Sequence, residues 1–153
     1  MVQQLIKEEK NLYDTDYHLW VLETIEKLEK RDLDSLDWEN LIEEVLDLSK
    51  RDKRKLQNLL KRLCEHLLKL KYWEGEMERN KKHWRGEITN FRQQIQYELE
   101  DSPSLKPYLA QIYSQCYEDS RKIASQKSGL PLITFPENPI ANLEQILDEN
   151  WLP

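Results

Sequence analysis

The sequence predicts an all-α fold, a single-domain bundle of about five main helices over residues 1–153. Three observations predict it. Only three glycines interrupt the chain, all six prolines follow Asp101, and apolar residues recur every three or four positions over the first hundred residues. The one β-prone run, 132–135, lies between prolines. We place the core at about 14–127 and a proline-rich C-terminal extension with a short last helix at 128–153.

The first two helices each follow a capping residue. Asp14 or Thr15 caps a first helix that ends near Arg31, and Asp37 caps a second, with Leu36 placed as its hydrophobic staple. Apolar residues at helical spacing, which we expect to face the core, are Tyr17, Trp20, Val21, Thr24, Ile25 and Leu28 in the first helix and Trp38, Leu41, Ile42, Val45 and Leu48 in the second.

A helix break is expected near Ser49. Asp52 falls within the leucine stripe that continues to Leu70, and a carboxylate buried there without a partner is costly. Ser49 and Asp52 also match a capping box that starts a new helix. We therefore predict a third helix over about 50–72, whose leucines form a buried spine.

Three further helices follow. We expect Gly75 to end the third-helix region and a fourth helix to cover about 80–100. A fifth begins at Ser104 as N-cap, has Pro107 in its first turn and ends near Lys127, where Gly129 closes it. The apolar segment 130–139 then packs along the bundle, and a short last helix covers about 142–148.

Charge is segregated along the chain. Residues 1–49 carry 5 basic and 14 acidic side chains, residues 50–92 carry 14 and 6, and residues 93–153 carry 4 and 9. The basic segment 50–92 supplies candidates for nucleic-acid binding: Lys50, Arg51, Lys53, Arg54, Lys81, Lys82 and Arg85. Trp73 and Trp84 lie among them, although Trp84 falls on the apolar phase expected of a core residue. The alternative is that these cations face the acidic helices inside the bundle.

Composition also excludes several classes of protein. The longest uncharged stretch, 107–117, has eleven residues and is too short to span a bilayer, and no secretory leader is expected before Lys7. Cys64 and Cys116 predict reduced thiols in a cytoplasmic protein. Three isolated glycines form no phosphate-cradling loop, and no histidine follows a glutamate by three positions, so we expect no cofactor and no metal.

Three residues are candidates for catalysis: His66, Arg79 and His83. Arg62 and Arg79 each precede a histidine by four positions, which places each pair on one helical face, where it can hold a phosphodiester. The pairs resemble those of the helical HEPN ribonucleases, which usually have four to six intervening residues rather than the three found here. The alternative for His66 is a half-buried histidine hydrogen-bonded to Glu43 or Glu44.

Several short blocks, in order, are similar to those of a known family. They are segments 13–20, 36–44 and 66–69, then Trp84 with Ile88 and Arg92, then 102–109, Phe135-Pro136 and 151–153. In these blocks the chain resembles the bacterial, mainly cyanobacterial, domain-of-unknown-function family number twenty-nine, from about Asp14 to Pro153. The resemblance implies an all-helical domain without an established biochemical activity, and it carries over no catalytic residue.

Taken together, these observations predict a cytoplasmic helical protein that binds another macromolecule without catalysis. We expect a protein partner rather than nucleic acid, no membrane, and a homo-oligomer as one form the partner can take. The alternative is a nucleic-acid-binding or RNA-cleaving helical protein that uses the basic segment 50–92.

Overall fold

The computed structural model describes residues 12–153, and within them every regular element is helical. Residues 12–15 form one helical turn. The helices are α1 (Tyr17–Glu29), α2 (Trp38–Tyr72), α3 (Glu74–Asp101), α4 (Lys106–Ser128) and α5 (Leu143–Leu147), with short 3-10 turns at Pro103–Leu105 and Leu132–Thr134. The all-α prediction is confirmed. The chain divides into two compact units, Met1–Lys50 and Arg51–Pro153, and the single domain expected for 1–153 stays a prediction.

The first unit is held together by hydrogen bonds around a small buried centre. The N-cap of α1 is Asp16, not Asp14 or Thr15, because the Asp16 carboxylate accepts a hydrogen bond from the Leu19 amide at 3.0 Å. The Tyr13 and Tyr17 hydroxyls donate to the two oxygens of Glu44 at 2.5 and 2.7 Å. Only Trp20, Thr24 and Leu36 are buried among its described residues, so most of the predicted core side chains of this unit are not core.

Helix α2 runs without interruption for 35 residues, so the break predicted near Ser49 is wrong. The prediction assumed that Asp52 would be buried, but every side chain from 45 to 55 is exposed. An aspartate in water has no desolvation cost to avoid, and the backbone keeps its helical hydrogen bonds through Ser49. The predicted second and third helices are therefore one, which leaves four long helices among residues 12–153.

The second unit contains the main core. The leucines of α2 form the predicted buried spine, which is confirmed: Leu56, Leu60, Leu63, Leu67 and Leu68 have no exposed surface. They pack against apolar residues of α3, including Trp84, Ile88 and Phe91, and of α4, including Leu109 and Cys116. Burial of this many large side chains is the dominant favourable term in folding.

Two helix starts differ from the predictions. Helix α3 begins at Glu74 and not near Asn80, where the sequence predicts its start. Gly75 therefore lies in the first turn of α3 and does not end the preceding helix. Trp73 precedes it and stacks on Trp84, with 5.6 Å between ring centroids. Ser104 is not an N-cap, because it lies inside a 3-10 turn that leads into α4. Gly129 ends α4 with φ 73°, as predicted, since glycine adopts this left-handed conformation without strain.

Buried arginines fasten the C-terminal extension to the second unit. The Arg121 Nε and Nη2 atoms donate to the Phe135 carbonyl at 3.1 and 2.9 Å, and Arg92 Nε donates to the Ile146 carbonyl at 2.8 Å. Phe135 and Ile146 are themselves buried, which confirms that the extension packs on the helices. Asn142 caps α5 through a reciprocal capping box with Gln145.

Both cysteines are free thiols buried in the second unit. Burial raises the pKa of the Cys64 thiol, and it raises the pKa of Cys116 to about 11. Among residues 12–153, none of the helices combines the length and apolar character that crossing a membrane requires.

Candidate functional site

Exposed apolar side chains concentrate in the first unit. Across the described residues, fourteen large apolar side chains are exposed, and eleven of them lie between residues 17 and 48: Tyr17, Leu19, Leu22, Ile25, Leu28, Leu33, Trp38, Ile42, Val45, Leu46 and Leu48. The other three are Tyr97, Leu132 and Ile133. Single exposed apolar residues are ordinary, whereas a contiguous group marks an interaction site.

The beginning of α2 arranges part of this group into a groove. Trp38, Ile42 and Val45 are 48%, 62% and 59% exposed. With Leu41 and Leu46 they line a concavity of about 410 Å³, which we call the α2 groove. At 100° per residue, Trp38, Ile42, Val45 and Leu46 fall within an arc of about 100° on one side of the helix. The α2 groove is therefore a continuous apolar stripe.

Hydrogen bonds fix the rings and the helix start beside the α2 groove. The Trp38 indole Nε1 donates to the Leu33 carbonyl at 3.0 Å, which orients the ring. Asp37, just before α2, accepts from the Trp20 indole at 3.3 Å and from the Asn40 amide at 2.7 Å. These contacts use the polar edge of α2 within the first unit and leave its apolar stripe open. The groove is thus formed before any partner arrives.

Carboxylates border the α2 groove. Glu39, Glu43 and Asp47 are exposed and follow one another at a spacing of four residues, so they form one row along the helix. Their arc lies directly beside the apolar arc, by the same 100° per residue. Within the part of the chain that the structure describes, none of the three forms an ion pair. We call these three residues the acidic row.

His66 lies in the second unit, on α2, with a side chain that is 12% exposed. Its Nδ1 lies 2.8 Å from the Arg62 carbonyl, and its ring meets Phe91 edge to face. The expected hydrogen bond to Glu43 or Glu44 is wrong, because both glutamates lie more than twenty residues earlier on the same helix and the His66 Nδ1 atom meets the Arg62 carbonyl instead. Glu44 accepts from the Tyr13 and Tyr17 hydroxyls. Burial lowers the pKa of His66, and Lys69 lowers it further, so the ring is neutral near pH 7.

Arg79 and His83 are exposed one helical turn apart on α3, as their spacing predicts. Asn80, between them, donates to the carbonyl and carboxylate of Glu76, each at 3.2 Å, and so faces its own helix. Catalysis by His66, Arg79 or His83 stays a prediction. The described residues contain no group of three or more His, Cys, Asp or Glu placed to share a metal ion.

The seven predicted nucleic-acid contacts are all exposed: Lys50, Arg51, Lys53, Arg54, Lys81, Lys82 and Arg85. The Lys53 ammonium lies 5.2 Å from the centre of the Tyr108 ring, and neighbouring Lys55 forms an ion pair with Glu98 of α3. Trp84 is buried, which confirms its placement in the core and removes it as a base-stacking surface. Nucleic-acid binding by these seven residues stays a prediction.

Sequence reasoning missed one polar cluster, next to His66. Glu65 is buried on α2, and its Oε1 lies 2.6 Å from the ammonium of Lys127 on α4. Together with Asn58, Lys61, Arg62 and Ile123 they line a cleft of about 290 Å³. Because Lys127 compensates the buried carboxylate, the pair joins two helices of the core. A pairing across more than sixty residues leaves no trace in local spacing.

These observations define a class: an all-helical protein with a buried leucine spine in one unit and an open apolar groove in the other. Over residues 12–152 the chain matches the family model described as Domain of unknown function DUF29, and it belongs to that family. The resemblance drawn from the short sequence blocks is therefore confirmed. No curated protein and no solved structure is detectably similar to the chain.

Proposed function

We propose that this protein is a binding module that docks a helix of another protein into the α2 groove. One observation carries the proposal: Trp38, Ile42 and Val45 are exposed to solvent on one arc of α2 and line one concavity. In helix recognition of this kind, an amphipathic helix contacts its partner through side chains at i, i+3, i+4 and i+7. The lining residues Trp38, Leu41, Ile42 and Val45 of α2 have this spacing. A partner helix with the same period would cover the α2 groove.

Burial of the groove supplies a useful part of the binding free energy. Covering a half-exposed large apolar side chain contributes roughly 1 kcal/mol, so the four residues of the arc supply roughly 4 kcal/mol. Association alone costs about 4–15 kcal/mol, so the partner must also contact the residues beside the arc. Tryptophan is the residue type most enriched at the centre of such interfaces, which makes Trp38 the expected anchor.

The experiment tests the position of binding as well as its occurrence. A photo-crosslinking amino acid is placed at Ile42 in the full chain, and the matched control carries it at Ile133, which is 89% exposed but lies in the other unit. Both are irradiated in an extract of the source cells, with and without nuclease. We expect a discrete protein adduct from position 42, not from 133, that disappears when Val45→Asp is added.

Two results would contradict the proposal. Equal adducts from positions 42 and 133 would mean that contact is non-specific. An adduct that disappears with nuclease would transfer the function to the basic segment 50–92 and its predicted nucleic-acid contacts.

A further inference from the structure

We infer that the segment occupying the α2 groove is a cationic amphipathic helix, with lysine or arginine beside its apolar stripe. This inference rests on the proposed function, because it specifies the chemistry of the partner at the same surface. It depends on the acidic row, Glu39, Glu43 and Asp47, which lies along one border of the groove with no ion pair among the described residues.

Among residues 12–49, cations are few and each contacts a group outside the acidic row. Residues 12–49 contain twelve acidic and three basic side chains, the latter being Lys27, Lys30 and Arg31. Lys27 donates to the Ser35 carbonyl at 2.9 Å, and Lys30 pairs with Glu26 at 2.7 Å. Arg31 donates to the Leu28 carbonyl at 3.0 Å. Cations along α2 begin at Lys50, beyond the end of the acidic row, so the field beside the groove is negative along Glu39 and Glu43. A negative field attracts cations and slows the approach of anionic segments.

The same charge argues against a second copy of this chain that docks with the two acidic rows opposed. Such a pair would place the α2 groove of each copy against an equally acidic surface. Like charges opposed across an interface are unfavourable and serve in natural proteins to reject wrong partners. A partner helix with basic flanks would instead be attracted. Its cations would lie beside the carboxylates of the acidic row while its apolar residues fill the α2 groove.

The expected size of the charge effect follows from exposed ion pairs. Each such pair contributes about fivefold in affinity at most, and typically about twofold. Three pairs along the acidic row therefore favour a cationic helix over an anionic one by roughly tenfold or more. Because the pairs are exposed, the preference shrinks as salt increases.

Two synthetic helical peptides of about eighteen residues test this inference against the full chain. They share one leucine stripe and differ only in their flanks, lysine and arginine in one and glutamate in the other. Binding is followed by anisotropy of a labelled peptide at about 50 mM and about 500 mM salt. We expect the cationic peptide to bind at least tenfold more tightly at low salt and the difference to shrink at high salt.

Three variants separate the inference from the proposed function. The triple variant Glu39→Gln, Glu43→Gln, Asp47→Asn should lose the preference and still bind both peptides. The matched control Glu78→Gln, Glu137→Gln, Glu144→Gln changes the net charge equally at exposed positions of the second unit and should keep it. The double variant Ile42→Asp, Val45→Asp should bind neither peptide.

Each remaining result has one meaning. Equal binding of both peptides by the unaltered chain overturns the charge inference and leaves the groove as a docking surface. Binding of neither peptide overturns the proposed function. A stable dimer of the chain that Val45→Asp dissociates shows that a second copy, and not a cationic helix, covers the groove.

Discussion

Helix α2 carries the same apolar spacing in two regions that meet different surroundings. From Leu56 to Leu70 the stripe is buried by residues of α3 and α4, whereas from Trp38 to Leu48 most of it faces solvent. Apolar content and period do not distinguish the two regions. What differs is the supply of covering side chains, since residues 12–50 offer only one further long helix, α1. An apolar period thus predicts a helix and which of its faces is apolar. Whether that face is buried depends on which other helices pack against it.

The largest expected difference comes from truncating one residue in each region. Leu67→Ala removes a fully buried side chain and should lower the free energy of unfolding by about 2–5 kcal/mol. Ile42→Ala removes an exposed one and should change it by less than about 0.5 kcal/mol. Urea denaturation of both variants measures the difference. Similar losses would mean that Ile42 is buried in solution and that the comparison fails.

A second test asks whether the first unit has a core of its own. Trp20 is the largest buried side chain among residues 12–50. Trp20→Ala should therefore weaken protection of the α1 amides at least tenfold in hydrogen exchange, equivalent to about 1.4 kcal/mol. The amides of residues 56–70 should keep their protection. Trp38→Ala, which truncates an exposed tryptophan, is the matched control. Equal loss of protection in both regions would refute a separate core.

Ser49→Ala distinguishes a continuous helix from two helices by the sign of its effect. In the interior of α2, alanine is the better helix former and should raise stability by a few tenths of a kcal/mol. If Ser49 instead capped a new helix, the same change would lower stability by about 1 kcal/mol. Thermal and urea unfolding give the sign. A loss would restore the break and separate the two regions of the stripe.

The smallest effect is a pH dependence confined to the buried region. Burial and Lys69 lower the pKa of His66, whereas the Arg62 carbonyl, Glu65 and Glu87 raise it by less. Because the net shift is downward, His66 is protonated at a higher pH in the unfolded chain than in the folded one. The free energy of unfolding should therefore fall as pH drops through about 6.5 and level off below the folded pKa. His66→Gln should flatten this slope as pH falls through about 6.5. An unchanged slope in His66→Gln would contradict the assignment.

Local sequence signals predicted most of the fold. The leucine spine, the Gly129 cap and the packing of the extension follow from period, capping chemistry and proline placement, which act over a few residues. The break at Ser49 was mispredicted because the cost assigned to Asp52 required burial, and burial is a property of the whole chain. Gly75 was mispredicted because glycine is tolerated in the first turn of a helix.

The sequence predicted the residues of the candidate site and their helical face, but not that this face would be exposed. Trp38, Ile42 and Val45 were correctly placed on one helical face, but were assigned to the core, because no local pattern reports that covering residues are missing. The acidic excess of residues 1–49 was countable, and its alignment along the groove follows from helix geometry. The ion pair of Glu65 with Lys127 joins distant segments and has no local signal.

The two buried thiols make alkylation a measure of how often the second unit unfolds. A thiol reacts with alkylating reagents as the thiolate, and both burial and a raised pKa keep Cys64 and Cys116 protonated and covered. The fraction of Cys64 and Cys116 alkylated during pulses of iodoacetamide, measured by mass spectrometry, will therefore report how often the leucine spine unfolds. Since residues 1–50 contain no cysteine, motion at the groove leaves that fraction unchanged.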